Sequence, residues 1–142
     1  MYYPKVDKQF FFGTTKDGRQ ITVCKVSVSD RELDKMITPW NLRKLVAESI
    51  TKKNTGIYDM YYNGVKCVGK ATCSTNDKYE LAKGMNIAEI RAMALLSFRL
   101  YKWTDYALDV IYKYLNQMED QTVIWMDKHE DWEEKAYGFA ND

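Results

Sequence analysis

The stretch that most constrains the fold is residues 65–103, where an alternating segment is followed by a polar turn and a long apolar segment. Val65 and Cys67 fall on one face of a strand at a period of two, whereas Lys66 and Lys70 fall on the other. A strand with one apolar face must bury that face against another element. The stretch therefore predicts a half-buried strand covered by the helix that follows it.

That main helix is predicted over residues 86–102, with Asn86 as its N-cap and Glu89 completing a capping box. Residues at helical spacing are predicted to form its inner stripe, namely Ile87, Ile90, Ala94, Phe98 and Tyr101. Its flanks are apolar as well, so we expect it to lie between the sheet and other helices, or in a subunit interface. Further C-terminal helices are predicted over residues 104–136.

Two β-hairpins are predicted before the main helix, over residues 9–28 and 57–73. The first turns at an Asp-Gly pair and the second at an Asn-Gly pair, and both pairs favour the positive φ angles of a two-residue turn. In the first hairpin this turn places Phe11 opposite Cys24, and its three consecutive phenylalanines are expected to be core.

An amphipathic helix is predicted between the hairpins, over residues 39–52, because Thr38-Pro39 is a helix-start signal. The fold class is therefore α+β: an antiparallel sheet of two β-hairpins with an inserted helix, then a long packed helix and further C-terminal helices. A length of 142 residues predicts a single domain, 1–142. With neither a run of roughly 20 apolar residues nor a secretory signal, we expect a soluble, cytoplasmic protein.

Composition excludes more functions than it indicates. A net charge of +1 gives no global field for nucleic acid, and three cysteines with one histidine lack a zinc-binding spacing. The nucleophile elbow, phosphate-binding loops and zinc-protease helix motif are absent from the sequence. We therefore predict a protein that is not an enzyme and needs no metal or cofactor.

One motif resembles a known family. Its residues are Gly69, Ala71, Cys73, Asp77, Tyr79, Gly84, Ala88, Arg91 and Ala92. This pattern is similar to that of small bacterial and phage proteins with a double-stranded-RNA-binding-like fold. The resemblance implies strands followed by a helix packed on the sheet, but the fold alone does not imply RNA binding.

The overall style of the chain, β-rich at first, helical later and rich in Tyr and Met, also resembles phage counter-defence proteins. Two kinds are pertinent: Thoeris inhibitors that sequester cyclic ADP-ribose signals, and anti-CRISPR proteins that bind a Cas effector. The resemblance implies a non-catalytic binding protein of the host bacterial cytoplasm. Its partner would be an immune signalling nucleotide or a CRISPR-Cas effector, and the protein would be a homo-oligomer.

Arg91 is the first candidate site residue, because its guanidinium starts from the apolar stripe and needs a partner. That partner is either a carboxylate such as Asp77 or Glu80, or an anionic ligand. Arg99 is the second candidate, with a solvated arginine as the alternative. For a nucleotide ligand, the arginines would meet phosphates while an aromatic ring stacks on the base, the candidates being Tyr79, Tyr101 and Trp103.

Other modes of binding stay open. A nucleic-acid-binding module would use lysines around the strand and turn, namely Lys66, Lys70, Lys78 and Lys83. A structural or assembly protein would use the apolar helix to form homo-oligomers. A Cas inhibitor would use the aromatic surface and the acidic helix near the C-terminus.

Overall fold

The computed structural model describes residues 2–37, 40–73 and 80–141, with side chains through Gly138. Over this part of the chain it confirms the predicted α+β fold, since an antiparallel sheet of three strands is combined with helices. The elements are β1 (Asp7–Thr14), β2 (Gln20–Val28), α1 (Asp30–Lys35), α2 (Leu42–Ser49), α3 (Thr55–Asn63), β3 (Val65–Thr72) and α4 (Leu81–Asn141).

β2 is the central strand, and β1 and β3 both pair with it in antiparallel fashion. β1 and β2 form the first hairpin as predicted, but their register is shifted by one residue from the predicted one. Phe11 lies opposite Val23, and Phe10 lies opposite Cys24.

The turn explains this shift. The N–H of Thr15 donates to the carbonyl of Arg19 at 2.7 Å, so the loop holds three residues instead of two. Gly18 closes that loop with a φ of 86°, the left-handed conformation that ends such loops. In the observed register Phe11 and Phe12 are 52% and 55% exposed, so the predicted phenylalanine core is wrong for both residues.

Helix α3 stands where the first strand of the second hairpin was predicted. Asn54 caps it by accepting a hydrogen bond from the N–H of Ile57 at 3.2 Å. Ile57 and Met60 are three positions apart and both buried. Residues three apart share one face of a helix but lie on opposite faces of a strand. Gly64 ends the helix with a φ of 76°. The hairpin over residues 57–73 is therefore wrong, because the Asn-Gly pair is a helix exit.

Two short helices connect β2 to α3. Ser29 caps α1 by accepting a hydrogen bond from the N–H of Glu32, as expected for a serine at a helix start. The predicted helix over residues 39–52 corresponds to α2, which spans Leu42–Ser49 and ends where Ile50 becomes extended. Its predicted start at Thr38-Pro39 lies outside the described residues.

β3 alternates as predicted, with Val65, Cys67 and Ala71 buried and Lys66 and Lys70 exposed. α4 crosses the buried face of the sheet, and its contacts with the sheet are mainly to β3 and β2. At Gly69 the helix approaches so closely that an added Cβ would lie 2.1 Å from the carbonyl oxygen of Ala88.

Helix α4 is one continuous helix of 61 residues, about 90 Å long at the usual rise per residue. The predicted start at Asn86 is wrong, because the helix begins at Leu81. The predicted separation at residues 103–104 is wrong as well. The Thr104 hydroxyl donates to the carbonyls of Leu100 and Tyr101, which satisfies the hydroxyl within the helix.

The inner face of α4 also differs from the predicted stripe. Its buried residues are Gly84, Ala88, Ala92, Leu96, Trp103, Ala107 and Val110. The predicted inner residues Ile90, Phe98 and Tyr101 are more than half exposed on the opposite face. The helix turns its small residues inward because Gly69 and the alanines permit close contact with the sheet.

Beyond Ile111 the side chains of α4 are exposed through Gly138, and we call residues 112–138 the distal segment. Large apolar side chains in it, such as Met118, Trp125 and Trp132, are 61–67% exposed. Among the residues that the structure describes, no helix combines the length and the apolar character that crossing a membrane requires.

Candidate functional site

A cavity of about 500 Å³ lies between the first turns of α3 and the middle of α4. The end of the α2–α3 connection and α3 supply Asn54, Gly56, Ile57 and Met60. The α4 side supplies Arg99, Lys102, Asp105, Tyr106, Leu108, Asp109 and Tyr112. This volume is in the range of pockets that hold small organic ligands, roughly 300 to 1,000 Å³.

Local structure explains why these residues meet. On α4, Arg99, Lys102, Tyr106 and Asp109 follow one another at intervals of three or four residues, so they share one face of the helix. Tyr106 is fixed at this face because its hydroxyl is 2.8 Å from the Ser49 hydroxyl of α2.

The apolar floor of the cavity comes from α3. Ile57 and Met60 are only 6% and 3% exposed, and the surface that they present to the cavity is apolar. Asn54 both caps α3 and lines the cavity, which ties the cavity wall to the start of that helix.

Both signs of charge line the cavity. Within the described part of the chain Arg99 forms no ion pair, so its planar fork is available to a ligand. Lys102 lies over the rings of Phe98 and Tyr101, at 5.4 and 5.9 Å from their centres. Asp109 is 3.7 Å from Lys113 in an exposed pair.

The cavity wall combines cationic, anionic and aromatic side chains. A guanidinium and an ammonium bind phosphate or carboxylate. Carboxylates accept hydrogen bonds from hydroxyl and amino groups, and tyrosine rings stack on flat rings. The chemistry of the cavity therefore fits a small anionic ligand that also carries hydroxyl or amino groups.

The predicted site residues do not gather in one place. Arg99 lines the cavity, whereas Arg91 donates to the backbone carbonyl of Lys70 at 2.6 Å. The predicted partner of Arg91 was a carboxylate or an anionic ligand, and a backbone carbonyl is neither of these. Tyr101 is 58% exposed on the outer side of α4, and Tyr79 lies outside the described residues.

Trp103 belongs to the core instead of a stacking surface. It is 0% exposed, and its indole N–H donates to the carbonyl of Leu33 at 2.8 Å. Its ring is stacked on Tyr61 with 6.4 Å between the ring centres. A base has no access to this ring, so the predicted stacking role does not fit its position.

The predicted lysines are spread over two surfaces. Lys66 and Lys70 are exposed on the face of β3 that α4 does not cover, and Lys83 is exposed in the first turn of α4. Lys78 lies outside the described residues. The exposed sheet face therefore carries two of the four candidate lysines.

Sequence reasoning missed the α3 side of the cavity and Lys102. The Asn54 cap, with apolar residues three and four positions apart after it, was the signal that a helix follows. Within the described residues, no group of three or more His, Cys, Asp or Glu side chains could hold a metal ion.

These features define an α+β protein in which one helix packs on a three-stranded sheet and bounds an open cavity of about 500 Å³. The chain matches no protein family, no curated protein and no solved structure with which it was compared.

Proposed function

We propose that this protein is a non-catalytic binding protein that holds a small anionic ligand of the nucleotide class in the cavity between α3 and α4. The observation that supports it most is Arg99, a cation without an ion-pair partner among the described residues, at the wall of a cavity of about 500 Å³.

Each part of the cavity has a role in this proposal. Arg99 and Lys102 bind the phosphate, while Asp105 and Asp109 accept hydrogen bonds from ribose hydroxyls or base amino groups. The ring of Tyr112 offers a stacking surface. Two cationic side chains neutralise the phosphate next to the apolar floor, and this favours binding without any chemical step.

Binding of this kind acts by lowering the free concentration of the ligand. For a signalling nucleotide this is sequestration, the counter-defence role that the resemblance implies. The role needs tight binding and a slow release, and it needs no catalytic group.

Isothermal titration calorimetry with a panel of cyclic nucleotides, cyclic ADP-ribose included, tests the proposal. We expect heat for one ligand per chain with at least one member of the panel. Arg99→Ala should weaken that binding by roughly tenfold to a hundredfold, because a hydrogen bond to a charged group contributes about 1.5–3 kcal/mol.

Lys83→Ala is the matched control, because Lys83 is an exposed cation on the same helix that does not line the cavity. It should leave the affinity unchanged. Absence of heat with every nucleotide, or equal affinities for wild type and Arg99→Ala, would contradict the proposal.

A second candidate function rests on Lys66 and Lys70, which are exposed on the uncovered sheet face. These lysines suit contact with nucleic-acid phosphates. Gel shifts at two salt concentrations test it, with Lys66→Glu combined with Lys70→Glu as the variant. Loss of the shift in that variant and at the higher salt would support this candidate.

A further inference from the structure

Residues 108–136 of α4, most of which lie in the distal segment, carry a sequence repeat. From residue 108 onward, mostly apolar residues recur at alternating intervals of three and four residues. This is the spacing of positions a and d in a heptad repeat. Positions a of this repeat hold Leu108, Leu115, Thr122, His129 and Ala136. Leu108, which also lines the cavity, and Leu115 are 49% and 51% exposed, so about half of each side chain is open to solvent.

Positions d are more strongly apolar. They hold Ile111, Met118, Trp125 and Trp132, and the last three are 64%, 61% and 67% exposed. A row of indole and thioether side chains in water is unfavourable, since burying one large apolar side chain contributes roughly 1.5–3 kcal/mol. A helix with this seam gains stability by placing it against another helix.

The opposite side of the helix has the complementary character. Position f points directly away from the seam, and it holds Lys113, Asp120, Asp127 and Glu134. All four are charged and exposed. Charge on one side and an apolar seam on the other is the pattern of a two-faced helix in a coiled coil.

Charges beside the seam indicate the partner and its direction. Lys128 stands at position g, and Glu133 stands at position e of the next heptad. In a parallel, in-register pair, position g of one helix meets the following position e of the other, so Lys128 meets Glu133 of the second copy. An antiparallel pair brings position g to g and position e to e, so Lys128 would not meet a glutamate.

Among the residues that the structure describes, neither of these two side chains forms an ion pair with a Lys, Arg, Asp or Glu side chain. Lys128 lies over the ring of Trp125 at 4.7 Å from its centre. Glu133 is 3.2 Å from His129, with both side chains more than half exposed. Both remain available at the edge of the seam.

We propose that residues 108–136 of α4 form a parallel, in-register, two-stranded coiled coil with a second copy of this chain. The pairing covers the exposed Trp125 and Trp132 and leaves the position f charges in water. It stands on the heptad repeat and the charges beside it, and it does not depend on a ligand in the cavity.

Disulfide trapping in the full-length chain tests direction and register together. Thr122→Cys introduces a thiol at position a, and in a parallel, in-register pair the two thiols face each other across the seam. Asp120→Cys is the matched control, because position f points away from the partner. Both are made with Cys73→Ser, since Cys73 is partly exposed whereas Cys24 and Cys67 are buried.

Under mild oxidation we expect Thr122→Cys to form a covalent dimer at least tenfold faster than Asp120→Cys. Sedimentation equilibrium of the wild type should give two chains per particle. Equal trapping rates for the two variants, a monomer at every concentration, or three or more chains per particle would overturn the pairing.

A charge exchange adds a test that does not depend on oxidation. Lys128→Glu should shift the sedimentation equilibrium toward monomer, because it sets Glu against Glu across the seam. Adding Glu133→Lys to it should restore the dimer. If the double variant is as dissociated as the single one, the parallel arrangement is wrong.

Discussion

At the scale of single residues, two side-chain hydrogen bonds link α4 to the shorter helices. Trp103 is the largest fully buried side chain among the described residues, and its N–H donates to Leu33 of α1. The hydrogen bond therefore links α4 to α1, and the indole ring fills space in the core. The hydroxyls of Ser49 and Tyr106 make a second such link between α2 and α4.

Replacing Trp103 tests the first link. Trp103→Ala should lower the free energy of unfolding by about 3–5 kcal/mol, because it removes the ring and leaves a cavity. Trp103→Phe should cost less, since the Leu33 carbonyl still accepts from the N–H of Met36. Urea unfolding followed by circular dichroism measures both. Trp40→Ala, at a side chain 73% exposed, is the control and should change stability by less than about 0.5 kcal/mol.

The buried thiols predict a loss of stability at alkaline pH. Burial raises the pKa of Cys24 and Cys67 above the ordinary thiol value of 9.0. A raised pKa means that the folded state holds the proton more tightly than the unfolded chain does. Its stabilising contribution is complete below pH 9.0 and is lost as pH rises through the folded pKa.

Urea midpoints measured from neutral pH to well above this value should therefore fall for the wild type. For Cys24→Ala, the drop in the urea midpoint from neutral to alkaline pH should be smaller than the same drop in the wild type. An identical pH profile in the two proteins would show that the buried thiol does not contribute.

At the scale of elements, the contact between β3 and α4 determines how the helix is oriented. Gly69 lets the backbone of α4 approach, and Ala88 and Ala92 face it. Hydrophobic patterning selects the larger residues as the inner face, and for this reason it predicted the wrong stripe. Which face of an apolar helix is buried depends on the space left by its partner, which the helix sequence does not contain.

Gly69→Ala should therefore weaken the fold. Its Cβ would lie 2.1 Å from a backbone oxygen of Ala88, so the helix and the sheet must separate, at a cost of about 1–3 kcal/mol or more. Gly13→Ala is the matched control in the same sheet, because its Cβ meets only a side-chain carbon of Ile21 at 3.6 Å. In thermal unfolding, Gly69→Ala should lower the midpoint temperature more than Gly13→Ala does. Equal decreases in the two variants would contradict the close contact between β3 and α4.

Some elements were predictable from the sequence and others were not. The alternation of β3 requires one buried face whatever the partner, so its prediction is confirmed. Residues 57–62 are rich in aromatics and precede Asn63-Gly64, a pattern shared by a strand before a turn and a helix before its glycine exit. The Asn54 cap and the spacing of Ile57 and Met60 favoured the helix, and these two features are a weak signal beside such a pattern.

At the scale of the whole molecule, the first half of α4 is packed against other elements and its distal segment is exposed. Its first half packs on the sheet and bounds the cavity, while its distal segment extends beyond the body with its side chains exposed. The sequence indicated Arg99 only as the second candidate, with a solvated arginine as the alternative. The rest of the cavity was not predictable, since it forms only when α3 packs beside α4, and α3 was predicted to be a strand.

Hydrogen–deuterium exchange with and without a bound nucleotide tests most directly where the ligand lies. We expect slower exchange in the first turn of α3 and in the part of α4 from Arg99 to Tyr112, with little change in β3. Protection confined to β3 around Lys66 and Lys70 would contradict binding in the cavity and favour the sheet face. Unchanged exchange in α3 and α4, under conditions where calorimetry detects binding, would contradict it equally.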